Sequence, residues 1–536
     1  MNLITDSWIP VLNQDGSRAT IKPAQLADPN VMELDLPRLD FQGAAYQLLI
    51  GLLQTTFAPA DVDEWMDYYD NPPSEDDLQL AFDDVIHAFH VDGDDARFMQ
   101  DLDTLEHISS TNSVANLLIE APGGNTLKLN KDFFIKRDLV EKLSLPMAAL
   151  ALFTLQINAP SGGVGHRTGL RGGGPMTTLI RPDDTDSTLW NKLWWNVINR
   201  ETLSYPDPDP DFSDGSVFPW LAETRVSDKT GEPIYRDEVH PLHIYWAMPR
   251  RIRLIIDTPS DEQSTSELID DVTGEPCQQV VSQYRTQNYG HNYEGDWSPH
   301  PITPYRHNPK KPDDTPFSIK AQPGGINYKL WHMLTFTGNE KDSGFIRAEV
   351  LDHANEIHEA SDGAISASGL WAFSYDMDNM KARGFYSKEL PIYYIAPNQQ
   401  IQLLETVLEL HELTDSVIKQ LRNSIKYSWM SERQAKDSKG DMSMIDTMFW
   451  QRSEPLFFRL VEDAVNNNGK VTPTAARDWL SKISKLTERL YEEQVLSSAV
   501  IKQRHMEQLN NLRAFLYGNK QLAAFRNRYK STKENS

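Results

Sequence analysis

A stretch rich in glycine is the feature of this sequence most able to do chemistry. NAPSGGVGHRTGLRGGGP, residues 158–175, carries seven glycines in eighteen positions and follows the apolar run Met147–Ile157. Glycine adopts positive φ without strain and lets another backbone or a ligand come close. The stretch therefore predicts either a backbone surface that a ligand approaches closely or a set of tight turns between a helix and a strand.

Two phosphate-binding signatures are incomplete in this stretch. Gly169 and Gly174 have the spacing of a P-loop, but Pro175 stands where the lysine is needed. The dinucleotide fingerprint also fails, because Gly163-Val-Gly165 is followed by Thr168 in place of the third glycine. These gaps disfavour a nucleotide-hydrolysing or Rossmann enzyme. An enzyme that cradles a phosphate or sugar on the glycines is still one alternative.

The histidines and the cysteine form no metal-binding pattern. Cys277 is the only cysteine, so a Cys-only zinc site and an intrachain disulfide are excluded, and a reducing compartment is indicated. The histidines of one region follow no H-E-x-x-H spacing: His240, His243, His291, His300 and His307. We expect no metal, no cofactor and no catalytic residues.

Composition and charge narrow the class of protein. The chain has 536 residues, 39% hydrophobic and 10% aromatic, which is typical of a globular protein. No signal-like N-terminus and no run of about 18 apolar residues is present, which predicts a cytoplasmic protein without membrane contact. The net charge of −25 excludes a protein that coats nucleic acid by bulk electrostatics.

The charge is unevenly distributed. Residues 401–536 carry a net charge of +4 against −29 for residues 1–400. Near the C-terminus, basic residues that include Arg526, Arg528 and Lys530 are almost unopposed by acids. This cluster either faces nucleic acid or a partner subunit, or forms an ordinary solvated helix surface.

Two domains are predicted from the change in pattern near Pro397. Residues 1–397 mix strand-like runs, such as RRIRLIIDTP and ELPIYYIAP, with helical ones, whereas residues 398–536 are helical throughout. We therefore predict the α+β class, a large mixed α/β N-terminal domain followed by an all-α C-terminal four-helix bundle. The bundle helices are expected near 400–428, 441–467, 473–495 and 498–528, with Thr472 as an N-cap before Pro473.

Four segments carry a resemblance to a known family. They are MNLITDSWIPV (1–11), KDFFIKRDLVEKLSLPMAALALFTLQINAPSGGVGHRTGLRGGGPMTTLIRP (131–182), TGEPCQQVVSQYRTQNYGHNYEGDWSPHPITPY (273–305) and GLWAFSYDMDNMKARGFY (369–386). In this order, and with a helical C-terminus, they resemble the CasA family, the large subunits of type I-E CRISPR Cascade complexes.

The resemblance implies a non-catalytic subunit of an RNA-guided antiviral complex. Such a subunit reads the protospacer-adjacent motif of double-stranded DNA from the minor groove, starts strand separation and helps to recruit a helicase-nuclease. The implied partners are CRISPR RNA, double-stranded target DNA, the helicase-nuclease and the other Cascade subunits, namely the guide-RNA backbone, the handle-binding and the small subunits. A purely architectural subunit that never touches DNA is the second alternative.

The resemblance also implies three DNA-reading elements. The first is a glycine loop at residues 161–165, for which the candidates are Ser161, Gly162, Gly163 and Gly165. The second is a basic finger, for which the candidates are Asn288, at the position that aligns with the finger, and Arg285, the nearest basic residue. The third is a polar wedge, for which the candidates are Asp378, Asn379, Met380 and Lys381, with Arg383 as a further phosphate contact.

Two further expectations come from the same resemblance. Phe133, Phe134, Lys136 and Arg137 fall where the family has a segment near the guide RNA and the DNA entry site, although a Phe pair in a short helix is also typical of a core. Relatives often carry paired cysteines at the positions of 144–147 and 274–277. We expect apolar packing around Met147 in place of the zinc that those cysteines hold.

Overall fold

A computed structural model gives the structure of the chain. It describes residues 1–121, 128, 138–160, 162–182, 186–204, 210–229, 231–257, 268–308, 310–311, 313–336, 344–378, 381–431, 433–434 and 442–530. The chain divides into two compact units. The first contains Met1–Ala321 and Thr337–Ile392, and the second contains Gln322–Phe336 and Tyr393–Ser536.

The first unit mixes small antiparallel sheets with helices, which confirms the α+β class. Its strands are Ile9–Asn13, Arg18–Ile21, Val31–Leu34, Asn112–Ser113, Leu143–Ser144, Thr177–Arg181, Arg251–Asp257, Leu268–Ile269, Pro276–Cys277, Val280–Gln287, Tyr305–Arg306, Phe317–Ser318, Phe345–Ile346, Gly369–Asp378 and Lys381–Pro391. Its α-helices are Leu39–Thr56, Val62–Asp70, Glu75–Asp83, Leu145–Asn158, Leu189–Trp194, Arg200–Leu203 and Glu349–Ala360. Short 3-10 turns are Pro23–Gln25, Ile86–Ala88, Val114–Leu117, Pro219–Leu221, Arg236–Glu238 and Pro241–Tyr245.

One sheet is built around the strand Val280–Gln287. This strand pairs along its length with Arg251–Asp257, and its other edge pairs with Asn112–Ser113 and Leu143–Ser144. The strand predicted over RRIRLIIDTP is thus confirmed for Arg251–Asp257. The sheet brings the end of the Val280–Gln287 strand, where the finger candidates lie, beside the start of Arg251–Asp257.

A second sheet carries the long hairpin of strands Gly369–Asp378 and Lys381–Pro391, called here the wedge hairpin. The first of these strands also pairs with Thr177–Arg181, which directly follows the glycine-rich stretch. The strand predicted over ELPIYYIAP ends at Pro391, so most of that run lies beyond the strand.

Two almost entirely buried helices form the centre of the first unit. Leu39–Thr56 and Leu145–Asn158 are buried on nearly every side and pack against each other, as expected for helices inside a core. Gly43 of the first helix lets the wedge hairpin approach closely, since a Cβ there would lie 2.6 Å from the ring of Phe373. The hairpin is therefore rooted in the core.

The second unit contains the predicted C-terminal helices. They are Pro397–Trp429, Ser443–Val465, Pro473–Tyr491, Gln503–Gly518 and Lys520–Arg528, with a π-turn at Glu492–Leu496; the unit also contains the short helix Trp331–Thr335, which was not predicted. The Thr472 hydroxyl accepts a hydrogen bond from the Ala475 amide, which confirms the predicted N-cap. The single helix predicted over 498–528 is wrong: it begins only at Gln503 and is interrupted at Asn519, whose extended backbone and side-chain cap start a new helix.

The predicted boundary at residue 397 misplaces one segment. Residues 322–336 were assigned to the N-terminal domain, but they belong to the second unit. Burial of two aromatic side chains explains this: Tyr328 stacks on Phe457 at 4.3 Å between ring centroids, and Trp331 meets the same ring edge-on at 6.1 Å. The Tyr328 hydroxyl also hydrogen-bonds Ser453 at 2.9 Å.

Candidate nucleic-acid interface

The glycine-rich stretch forms a connection that is fixed at both of its ends. The Gly169 amide donates to the Ala159 carbonyl at 2.9 Å, and the Gly174 amide donates to the Asn158 carbonyl at 3.0 Å. Gly173 touches the start of the stretch, since a Cβ there would lie 2.7 Å from the Pro160 Cα. Several of its glycines therefore serve close packing inside the stretch, a role that was not among the two predicted from the sequence.

The glycine loop has a different environment. Gly162 and Gly163 are exposed, and the neighbouring Val164 side chain is 76% exposed. Gly163 has φ +94°, and no atom lies within 4 Å of the place where its Cβ would stand. Gly163 is thus required for its backbone conformation and not for packing, and another molecule can approach its bare backbone. Ser161 lies outside the described residues.

The loop touches one of the two predicted finger residues. The Tyr289 amide donates to the Gly165 carbonyl at 2.8 Å, and a Cβ on Gly165 would lie 2.8 Å from the Cβ of Asn288. Gly165 also has φ +77°. Asn288 is exposed beside the loop, so the structure brings these two predicted elements together.

Arg285, the other finger candidate, lies in a different place. It sits inside the strand Val280–Gln287, opposite Arg253, and its Nε donates to the Ile108 carbonyl at 3.3 Å. Its side chain is half-buried. Of the two candidates, Asn288 and not Arg285 adjoins the glycine loop.

The wedge hairpin packs against the far end of the glycine-rich stretch. A Cβ on Gly174, which has φ +58°, would lie 2.6 Å from the Cγ of Met377, and the Ser374 hydroxyl donates to the Gly174 carbonyl at 3.1 Å. Asp378 and Lys381 are exposed and paired at the end of the hairpin. Asn379 and Met380 lie outside the described residues.

The hairpin is irregular two pairs before its end. Asp376 pairs with Gly384 but Met377 pairs with Ala382, so Arg383 is the extra residue of a β-bulge. Its guanidinium binds the buried Asp376 carboxylate through Nε at 3.0 Å and Nη2 at 2.7 Å, and Nη1 lies 3.6 Å from Asp378. The Arg383 side chain is thus paired with acids in this structure, and its expected contact with a phosphate stays a prediction.

The three basic candidates near the C-terminus differ in their contacts. Arg526 donates from Nη1 to the Tyr517 carbonyl at 2.9 Å and from Nη2 to the Leu516 carbonyl at 3.0 Å, which caps the end of the helix Gln503–Gly518. Arg528 pairs with Glu409 at 2.8 Å. Lys530 is exposed. Two of the three predicted contact residues thus have roles inside the second unit.

The remaining candidates are the residues of the 133–137 segment and the histidines. Phe133, Phe134, Lys136 and Arg137 lie outside the described residues. The histidines are mostly buried, and burial lowers the pKa of His243 to about 4 and that of His291 to about 3. Within the ranges that the structure describes, no group of three or more His, Cys, Asp or Glu side chains is placed to hold a metal ion.

The positions where relatives often carry cysteines do come together. Ser144, Met147 and Cys277 line one open groove of about 930 Å³, and Met147 is buried. A polar contact joins the segments: the fully buried Asp270 carboxylate accepts from the Ser144 amide and hydroxyl at 2.6 Å each, and from the Thr273 amide at 2.9 Å. The two segments are therefore joined by a buried polar contact, while Met147 itself is buried in the core.

One cation of this interface was not identified from the sequence. Arg250 lies beneath the glycine loop, with Nη1 3.5 Å from where a Cβ of Gly162 would stand. It begins RRIRLIIDTP, a run whose periodicity indicates only a strand. The sequence offered one sign of this cation, the adjacent basic residues Arg250 and Arg251 before an apolar strand.

Comparison with known proteins identifies the family. The model of the family CRISPR-associated protein Cse1 matches residues 2–490.

The chain belongs to the CRISPR-associated protein Cse1 family.

Solved structures show the same fold at low identity. Thermus thermophilus CasA (Cse1) is 16% identical with a TM-score of 0.66, covering 98% of this chain and 99% of that chain. Thermobifida fusca Cse1 is 15% identical with a TM-score of 0.66, covering 98% of each chain. A chain of a CRISPR RNA-guided surveillance complex is 14% identical with a TM-score of 0.65, covering 97% of this chain and 99% of the other.

Proposed function

We propose that this chain is the non-catalytic large subunit of a type I-E Cascade-like complex. In that role it reads the protospacer-adjacent motif of double-stranded DNA from the minor groove and starts strand separation. Membership of the Cse1 family and the likeness to a chain of an RNA-guided surveillance complex support the assignment. The observation that carries it is the exposed, side-chain-free backbone at Gly163, in a stretch that contacts Asn288 through Gly165 and the wedge hairpin through Gly174.

The shape of the loop suits a narrow groove. The minor groove of B-DNA is about 6 Å wide, so a bare backbone reaches base edges that a bulky element does not. Its pattern of donors and acceptors is degenerate, which is consistent with reading a short motif loosely. Asn288, beside Gly165, adds an amide that both donates and accepts hydrogen bonds.

The wedge hairpin supplies the second step. A side chain inserted between base pairs offsets part of the unstacking cost of a few kcal/mol. Such an element must be held rigidly, and this one is paired along its length, rooted against Gly43 and braced by the ion pair of Asp376 with Arg383. Asn379 and Met380 are the residues that we assign to insertion, with Lys381 and Asp378 flanking them.

The proposal extends to the partners. The chain is expected to bind CRISPR RNA indirectly through other Cascade subunits, and after strand separation to help recruit a helicase-nuclease. Sequence specificity beyond the motif is then delegated to pairing between guide RNA and target, as in other RNA-guided systems. This division of labour is compatible with a net charge of −25, because the chain does not have to coat DNA.

Footprinting the assembled complex on target duplex tests the proposal. The comparison is between complexes that contain this chain and complexes from which it is omitted. We expect protection of the motif and opening of the first base pairs only when the chain is present. Protection that is unchanged on omission would favour a purely architectural subunit, and turnover of a nucleotide by the isolated chain would favour the phosphate-binding enzyme.

A further inference from the structure

A buried guanidinium lies directly under the exposed glycine loop. Arg250 is 8% exposed, and its Nη2 donates to the carbonyl of Pro160, the residue before the loop. Its main chain is fixed as well, because the Gln156 side-chain amide accepts from the Arg250 amide and donates to the Arg250 carbonyl, both at 2.9 Å. The cation is thus held in one place relative to the loop.

No acid compensates this charge among the residues that the structure describes. The next residue is a useful contrast, because the Arg251 guanidinium binds the carboxylate of Asp101. Arg250 has no such pair, and its buried Nε has no hydrogen-bond acceptor in the described part of the chain. Burial lowers the pKa of Arg250 to about 10, so the group is still charged near neutral pH.

The groups that face Arg250 do not supply a negative charge either. Tyr284 is buried, and burial raises the pKa of its hydroxyl to about 12, which keeps it neutral. Burial and the nearby Arg250 charge lower the pKa of His166, which keeps the imidazole neutral as well. A buried charge without a partner costs several kcal/mol, so an anion delivered by a ligand has a large favourable effect here.

We propose that Arg250 is the phosphate-binding residue of the glycine loop and pairs with a backbone phosphate of the duplex DNA that the loop reads. The absence of a side chain at Gly162 leaves Nη1 close to the exposed surface of the loop. The guanidinium then reaches a phosphate from below the bare backbone of the loop, and an arginine binds phosphate strongly through its paired N–H donors. This inference rests on the proposed function, since it assumes that DNA reaches the loop.

The salt dependence of DNA binding by the assembled complex tests the inference. For Arg250→Gln we expect unfolding at the wild-type temperature or above, because an unpaired buried charge is removed. We also expect at least about tenfold weaker binding to motif-containing duplex and a slope of log K against log salt that is smaller by about one. Arg250→Lys keeps the charge and should keep the slope.

The control is Arg253→Gln. Arg253 is also buried in the same strand, but its guanidinium donates to the carbonyls of Asp101 and Asp95. This variant should leave the salt slope of DNA binding unchanged. If Arg250→Gln weakens binding or lowers stability but leaves the salt slope unchanged, the inference is overturned. Arg250 would then only hold the Pro160 carbonyl in place.

A second pair of variants gives an answer even if Arg250→Gln does not fold. Gly162→Asp and Gly162→Asn have the same shape, but only the aspartate places a negative charge beside Nη1. We expect the aspartate to weaken DNA binding at least about tenfold more than the asparagine; equal effects would overturn the inference.

Two further readouts separate the inference from its alternatives. Assembly of each variant onto the RNA-loaded complex without DNA should be normal, and a loss at this step would mean that Arg250 serves the guide RNA or the fold. If omission of the whole chain leaves the DNA footprint unchanged, the proposed function itself fails. If only the Arg250 slope is unchanged, that function stands and the phosphate assignment falls.

Discussion

At the scale of single residues, the contact between Gly165 and Asn288 defines the interface most closely. The two residues lie far apart in the sequence, and a side chain at position 165 would displace either Asn288 or the ring of Tyr289. The sequence names both residues as candidates but gives no sign that they touch. The contact also separates Asn288 from Arg285, which spacing alone does not distinguish.

The first prediction compares these two finger candidates. Asn288→Ala should weaken binding to motif-containing duplex by about tenfold, equivalent to about 1.4 kcal/mol, because it removes an amide placed beside the loop. Arg285→Ala should leave the preference for the motif unchanged and lower stability instead, since it removes the hydrogen bond to the Ile108 carbonyl. Binding isotherms on wild-type and altered motifs, with melting curves, decide between them. A larger loss of motif preference from Arg285→Ala would reverse the assignment.

A second residue gives a pH-dependent prediction. Burial raises the pKa of the Glu349 carboxyl from 4.5 to about 7, with nearby Arg236 opposing the shift and Asp352 adding to it. The folded state therefore holds a proton that the unfolded chain releases near pH 4.5, so this residue destabilises the first unit increasingly as pH rises from about 4.5 to about 7. Glu349→Gln should become more stable than wild type across that window. A difference in melting temperature between the two proteins that stays constant from about pH 4.5 to about pH 7 would contradict this.

At the scale of elements, the wedge hairpin and the glycine-rich stretch behave as one assembly. They are joined at Gly174 and Met377, and the hairpin bulge at Arg383 changes its course just before the tip. Helix and strand patterns were predictable where caps and periodicity are strong, as at Thr472 and along Arg251–Asp257. The packing of hairpin on loop was not, because it depends on glycines meeting distant side chains.

The hairpin tip carries the third prediction. Asn379→Ala combined with Met380→Gly should leave the complex assembled and able to bind a pre-melted target. Binding to a fully paired target should fall at least about tenfold, because nothing then offsets the cost of separating the first base pairs. The two substrates are compared by equilibrium binding at one salt concentration. Equal losses on both, or on neither, would mean that these residues do not insert.

The C-terminal helices carry the fourth prediction. Arg526→Ala should lower the stability of the second unit by about 1–2 kcal/mol, because the carbonyls of Leu516 and Tyr517 lose their donors. Its effect on the salt slope of DNA binding should be negligible. Lys530→Ala should behave in the opposite way, with unchanged stability and a slope reduced by about one, because we expect this exposed cation to meet a phosphate. A reduced slope from Arg526→Ala would restore it as a nucleic-acid contact.

At the scale of the whole molecule, the sequence predicted the fold class and family but not the limits of the units. Residues 322–336 pack with the C-terminal helices through Tyr328 and Trp331. No change in composition marks the points where the chain enters and leaves the second unit. Arg250 was missed for a related reason: a charge is notable only when its lack of a partner is known, and partners come from tertiary structure. The role of Asp270 could not be predicted for the same reason, because its hydrogen bonds to Ser144 depend on the tertiary structure.

The central claim is that this chain reads duplex DNA through the bare backbone of its glycine loop, and the matched variants Gly163→Val and Gly16→Val test it most directly. Both glycines have positive φ, +94° and +80°, with no atom within 4 Å of the added Cβ, so the two substitutions impose similar local strain. The measurement is the ratio of affinities of the assembled complex for duplex targets with intact and permuted motifs. We predict that Gly163→Val abolishes the preference for the intact motif while Gly16→Val retains it. Equal preference in both variants would contradict the account.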